Sequence, residues 1–180
     1  MTPLEDKHYT LPAAELARIV KETRQRTLAL VADLNDEQLS VPLKESVNPF
    51  RWELGHTAFF YEAFLLRLLD RTGPLLEGAD DLYNSFTVEH DSRWGLPLPS
   101  RKGTLDYMAR VQELALARLE EHEPNAIDTY LYLLAVLHED MHGEAFTYMR
   151  QTLEYAGPDL KDAGVPKSSA GEVGGGAHPG

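Results

Sequence analysis

Cysteine is absent from the 180-residue chain. That excludes disulfides, thiolate zinc sites, iron–sulfur clusters and a cysteine nucleophile. Basic side chains are scarce, with 17 Lys and Arg against 29 Asp and Glu, a formal net charge of −12. Phosphate neutralisation needs clustered Lys and Arg, so nucleic acid and anionic membrane are not expected partners. Long apolar runs are missing too, and none approaches the length of a membrane span. The start, Met1-Thr2-Pro3-Leu4-Glu5-Asp6, is acidic and lacks the basic and apolar regions of a signal peptide. The expectation is a single cytoplasmic domain with enough chain to bury a core. Any metal would have to be held by His, Asp or Glu. Seven histidines are available: His8, His56, His90, His122, His138, His142 and His178.

What is present is helical periodicity, with no run of alternating β-type residues and no internal repeat. From about Leu11 to Leu34, apolar residues recur at helical spacing, with Thr10 the expected N-cap and Pro12 in the first turn. Asn35-Asp36 and Pro42 end this helix or begin a short connector. A second helix is predicted over Phe50–Leu69, capped by Asn48 with Pro49 at its first position, and dense enough in apolar and aromatic residues for burial on more than one side. Gly73-Pro74 stops it. Residues 73 to about 103 form a long crossover, a length that in a compact domain often signals function. Thr104 is the expected cap of a third helix reaching about Glu121, and a fourth runs from about Ala126 to Tyr155, closed by Gly157-Pro158. The expected architecture is therefore an all-α four-helix bundle over residues 1–157. Residues 158–180, rich in Gly, Pro and Ser, read as a flexible linker or tail.

The strongest chemical signal is His138-Glu139-Asp140-Met141-His142. Histidines four apart on a helix lie one above the other, so their imidazoles can address a common ion. Here they share a face with Leu131, Leu134, Ala135, Ala145 and Met149, where unsatisfied ring nitrogens would be costly. His56, on the second helix with Trp52, Phe59, Phe60 and Ala63, is the third candidate ligand. Alone it reads as a buried, hydrogen-bonded histidine; beside the other two the metal reading prevails. A three-nitrogen site suits Fe(II), Zn(II), Ni(II) or Co(II) without choosing among them. The spelling is also that of an HExxH metalloprotease with Glu139 as general base, but a later third ligand and a strand for the substrate are not found. Glu139 and Asp140 are candidates to accept a hydrogen bond from a ligand imidazole, with surface charge as the alternative. In the crossover, Arg93 is a candidate clamp for a substrate carboxylate, or else an anchor for the loop. His90, Tyr83 and Asn84 are candidate substrate contacts, against which stand a solvated loop histidine and a simple turn.

Together, Trp52-Glu53-Leu54-Gly55-His56, Tyr83-Asn84-Ser85-Phe86 and the His138–His142 segment resemble the N-terminal DinB-like domain of ergothioneine-type sulfoxide synthases, over roughly residues 10 to 157. The stretch from His90 to Ser100 is similar to the subgroup that includes selenoneine synthases. The resemblance implies a non-haem Fe(II) held by His56, His138 and His142. It also implies use of O2 to join a sulfur or selenium donor to the imidazole of a trimethylated histidine, with Arg93 the best match to the family's thiol-donor arginines. Such enzymes continue into a formylglycine-generating-enzyme-like domain, so full activity is expected to need a second domain or chain. Two other functions stay open: a stand-alone DinB-type thiol transferase using Zn or Ni, and a non-catalytic metal-binding interaction module.

Overall fold

The computed structural model describes residues 9–160; the glycine-rich segment that ends the sequence lies largely outside them. Every regular element among the described residues is helical.

Helix α1 (Ala13–Ala29) buries Leu16, Val20, Thr23, Arg24 and Thr27 along one stripe, and pairs Arg18 with Glu15 and Glu22 on its wet side. It begins behind Pro12, whose carbonyl accepts from the amides of Glu15 and Leu16, so Thr10 is not the cap. It also ends earlier than the periodicity suggests, unwinding after Ala29 through turns into the short α2 (Asp36–Ser40). An Asn35–Gln38 capping box starts α2.

Helix α3 (Phe50–Tyr61) is buried on nearly all sides, as its composition requires. Pro49 takes the cap position, because the Asn48 side chain is drawn away to Glu53 and Arg93. The predicted regular helix to Leu69 is instead interrupted by a π-helical turn, Glu62–Leu66, before resuming as α4 (Arg67–Asp70). The buried Glu62 carboxylate accepts from Arg67 Nε (2.8 Å), Tyr107 Oη (2.5 Å) and the Leu75 amide (2.9 Å). Its i,i+5 pairing with Arg67 matches the wider turn.

The crossover carries α5 (Ala79–Tyr83) and a 3₁₀ turn, His90–Trp94. Helix α6 (Arg101–Glu121) is capped by Ser100, which accepts from the Gly103 amide, and Thr104 is instead buried in its first turn. Helix α7 (Ala126–Thr152) starts at an Asn125–Asp128 capping box.

The long helices close a ring: α1 packs on α6 and α7, and α3 packs on α6 and α7. Leu16, Phe50, Leu65, Val111, Tyr132 and Phe146 fill the interior. Two ion pairs link α1 and α7, the first buried and the second with Asp33 exposed. Arg24 of α1 meets Glu139 of α7 at 2.7 Å, and Arg150 of α7 meets Asp33 after α1 at 2.7 Å. The adjacency of α3 and α7 is what allows His56 to meet His138 and His142. No helix among the described residues is long and apolar enough to cross a membrane.

Candidate metal centre

His56 lies about two turns into α3 and is 5% exposed, while His138 and His142, one turn apart on α7, are partly exposed. The three side chains each bring one ring nitrogen within 4.8 Å of the others. Ring centroids are 5.0 Å apart for His56–His138, 4.8 Å for His56–His142 and 4.5 Å for His138–His142.

Outer contacts settle which nitrogen faces inward. His56 Nδ1 lies 2.7 Å from the Tyr83 carbonyl, and a carbonyl can only accept, so the proton is on Nδ1 and the Nε2 lone pair is free. His142 Nδ1 lies 2.5 Å from the Glu53 carboxylate, a negative charge that favours the proton on that nitrogen, although the pair does not align as a hydrogen bond. The Nε2 atoms of His138 and His142 are then 3.2 Å apart. His138 Nδ1 is buried and has no partner. Whichever nitrogen of His138 carries its proton, one buried ring nitrogen lacks a complement or two lone pairs oppose each other. A cation seated among the three nitrogens removes that cost, so the donor set fits a divalent metal that accepts imidazole.

Burial disfavours the charged form of His56 and His138. Burial, then the neighbouring His142, push His56 down to about 4, against the Tyr83 hydrogen bond. Burial, then His142 and His56, push His138 down to about 2. Burial acts to raise Glu53, but the His142 contact, the charges of His142 and His56 and the Asn48 hydrogen bond outweigh it and hold the carboxyl below its ordinary value. Aromatic planes wall the site: Trp52 stacks on His56 at 4.7 Å and 9°, and Phe60 on His138 at 3.6 Å and 12°.

The other singled-out residues sit around this centre rather than in it. Glu139 is fully buried against Arg24 of α1, and Asp140 pairs with Arg26. The general base that a metalloprotease needs is thus tied up in an ion pair. The carboxylate that reaches a ligand imidazole is Glu53. Its sequence signal is a lone acid one helical turn before His56 in an otherwise apolar segment. The Tyr83 ring is fully buried, and what it offers the centre is its main-chain carbonyl. Asn84 closes a turn, its side chain accepting from the Phe86 amide. His90 bridges the Val47 carbonyl at 2.8 Å and Asp91 at 2.8 Å, tying the crossover to the entry of α3. Arg93 donates to Asn48 Oδ1 at 2.8 Å and lies 3.9 Å over the Trp52 ring.

A sequence model described as the DinB superfamily matches residues 19–146, which include all three histidines. The hercynine oxygenase of Mycolicibacterium thermoresistibile is 35% identical over 133 residues, covering 73% of this chain and 29% of that protein. Its counterpart from Mycolicibacterium smegmatis is 33% identical over 148 residues, covering 79% and 33%. That of Mycobacterium tuberculosis is 33% identical over 132 residues, covering 72% and 31%. The chain spans about a third of the length of these curated relatives.

Proposed function

The chain belongs to the DinB superfamily, and from that premise we propose that it is the iron-binding part of an O2-dependent enzyme acting on hercynine, in the formation of an ergothioneine- or selenoneine-type C–S or C–Se bond. The observation that carries this reading is the convergence of three imidazoles, two of them held from outside through Nδ1, in a chain similar to proteins named hercynine oxygenase. The expected boundary between a domain over 1–157 and a linker over 158–180 falls in part on residues outside the described ones, which are 9–160.

His56, His138 and His142 would hold the ion, His56 and His142 through Nε2. A ferrous ion bound there supplies open coordination positions and the redox capacity that reaction with O2 requires. Glu53 keeps the His142 proton on Nδ1 and places a negative charge behind a ligand set that has none of its own. The Tyr83 carbonyl does the same orienting work for His56. Trp52 and Phe60 cover one ring face each of His56 and His138, while His138 and His142 remain partly exposed. Beside the histidines on α7, Leu137, Met141 and Tyr148 are 66%, 54% and 50% exposed. An apolar rim of this kind is what a further domain covers when it completes a substrate pocket. A second, formylglycine-generating-enzyme-like domain fits that position, with the thiol or selenol donor and hercynine bound between the two.

Anaerobic Fe(II) titration of the purified chain, with metal analysis and His56→Ala, His138→Ala and His142→Ala variants alongside, tests the site. One equivalent bound by the parent and lost in each variant supports it. Oxygen uptake with hercynine and a thiol, with the second domain supplied, supports the reaction. Tight zinc or nickel with thiol transfer and no oxygen use would replace this reading by that of a thiol transferase. Metal binding that survives all three substitutions would end the shared-site idea.

A further inference from the structure

Arg93 is half-buried in a chain of net charge −12, yet among the described residues no carboxylate lies at ion-pair distance from it. Burying a guanidinium without a counter-ion is unfavourable, so its position has to be held by other contacts. Its Nη1–H is committed to Asn48 and its Nη2–H to the Val88 carbonyl, and Nε is buried without a partner. Two of its five N–H groups are thus engaged with the protein, and these contacts hold the guanidinium in place.

Those contacts lead to two of the three ligand imidazoles by separate routes. In one, the guanidinium packs 3.9 Å from the Trp52 ring centre, and Trp52 stacks on His56. The Trp52 Nε1–H is meanwhile fixed by the Leu82 carbonyl at 2.8 Å. In the other, Arg93 donates to Asn48 Oδ1 at 2.8 Å, Asn48 Nδ2 donates to Glu53 Oε1 at 2.5 Å, and Glu53 Oε2 stands 2.5 Å from His142 Nδ1. The relay needs at its centre a group that accepts from Arg93 and donates to Glu53, and the Asn48 amide does both. This also accounts for Asn48 leaving the cap position of α3. Leu82, Tyr83 and Arg93 all belong to the crossover, so that segment supplies the outer support of His56 directly and of His142 through Asn48 and Glu53.

We propose that Arg93 is a positioning residue of the metal centre, and that docking of the crossover and binding of the metal are thermodynamically linked. The inference rests on His56, His138 and His142 being the ligands. Linkage is reciprocal: what loosens the crossover weakens the metal, and what fills the centre orders the crossover.

The test uses the full chain and Zn(II), with affinity read by competition against a chromophoric chelator. Arg93→Met and Asn48→Leu should each raise the Zn(II) dissociation constant about 10- to 100-fold, the range for lost outer-shell partners. The double variant should fall short of the product of the singles, because the two share a route. Arg93→Lys, which keeps charge but loses the planar stack, should recover part of the affinity. In the parent, Zn(II) should slow amide hydrogen exchange across residues 82–94, and Arg93→Met should abolish that slowing while circular dichroism stays helical. A dissociation constant within twofold of the parent for folded Arg93→Met overturns the inference. If Arg93→Met does not fold, the parent's exchange decides: no change at 82–94 on adding Zn(II) is equally fatal. A parent that binds neither Zn(II) nor Fe(II) would remove the metal reading itself, an outcome distinct from a parent that binds and a variant that binds as well.

Discussion

Gly55 precedes His56 on α3, and its lack of a side chain is a packing requirement. A Cβ there would stand 2.2 Å from two ring carbons of Tyr83 and 2.6 Å from its hydroxyl. The Tyr83 ring is fully buried and stacks on Tyr107 at 6.1 Å, so it has little room to retreat. The same residue's carbonyl holds His56 Nδ1. Gly55→Ala thus sets a helix-propensity gain of ~1 kcal/mol against an overpacking cost of ~1–3 kcal/mol, and the displaced ring carries the carbonyl with it. The expected result is a net loss of stability by urea denaturation together with weaker metal binding. A variant more stable than the parent with unchanged metal affinity would show that Tyr83 moves aside freely.

At the scale of elements, the helices were legible wherever one face is apolar and the ends carry punctuation. The histidine pair on α7 was legible for the same reason, since i,i+4 spacing fixes a shared face. Three features were not, and each is decided by a distant partner. The Asn48 cap fails because Arg93, far along the chain, takes the side chain; the π turn exists around Glu62, whose partners Tyr107 and Leu75 are remote. Glu139, in the middle of a motif that spells a protease, turns toward α1 because it is one position on from His138 and so about a quarter-turn around the helix. Its pairing with Arg24 predicts an asymmetry. Arg24→Met leaves a buried carboxylate unpaired and should cost about 3–5 kcal/mol, while Arg24→Met with Glu139→Leu should recover most of it. Guanidinium unfolding of the two variants checks this, and a double variant no better than the single would show the charge of Glu139 to be the lesser problem. The Asp33–Arg150 pair, which ties the end of α1 to the end of α7, carries a pH dependence. The Arg150 hydrogen bond holds the Asp33 carboxyl below its ordinary value, outweighing partial burial. A lowered folded-state value means the unfolded chain binds the proton first. The contribution is therefore complete above the unfolded value of about 3.9 and is lost as pH falls through the folded one. Thermal melts between pH 5 and 2 should fall less steeply for Asp33→Asn than for the parent; parallel curves would remove the pair from acid unfolding.

For the molecule as a whole, the metal would join α3 to α7, two of the four long helices that close the ring, so its binding should register in global unfolding and not only locally. Absent cysteine left histidine as the principal ligand type, and the bundle determined which histidines meet: His56, His138 and His142 converge, while His90 is spent on the Val47 carbonyl and Asp91. In the unfolded chain His56 is far along the sequence from His138 and His142, and the three bind an ion weakly. The folded state then gains about 2.7 kcal/mol when free metal is 100 times its dissociation constant. For a domain of this size each kcal/mol moves the midpoint by roughly 2–4 °C. Zn(II) should accordingly raise the melting temperature of the chelator-treated protein by about 5–11 °C, with the shift following the logarithm of free metal. Calorimetry of the parent and of His138→Ala, with and without Zn(II), measures it. The variant should show no shift, since a two-histidine remnant binds far more weakly. A parent whose midpoint stays fixed over a hundredfold range of free metal would mean that the three imidazoles converge without holding an ion, and that the buried Nδ1 of His138 is tolerated at the expense of the fold.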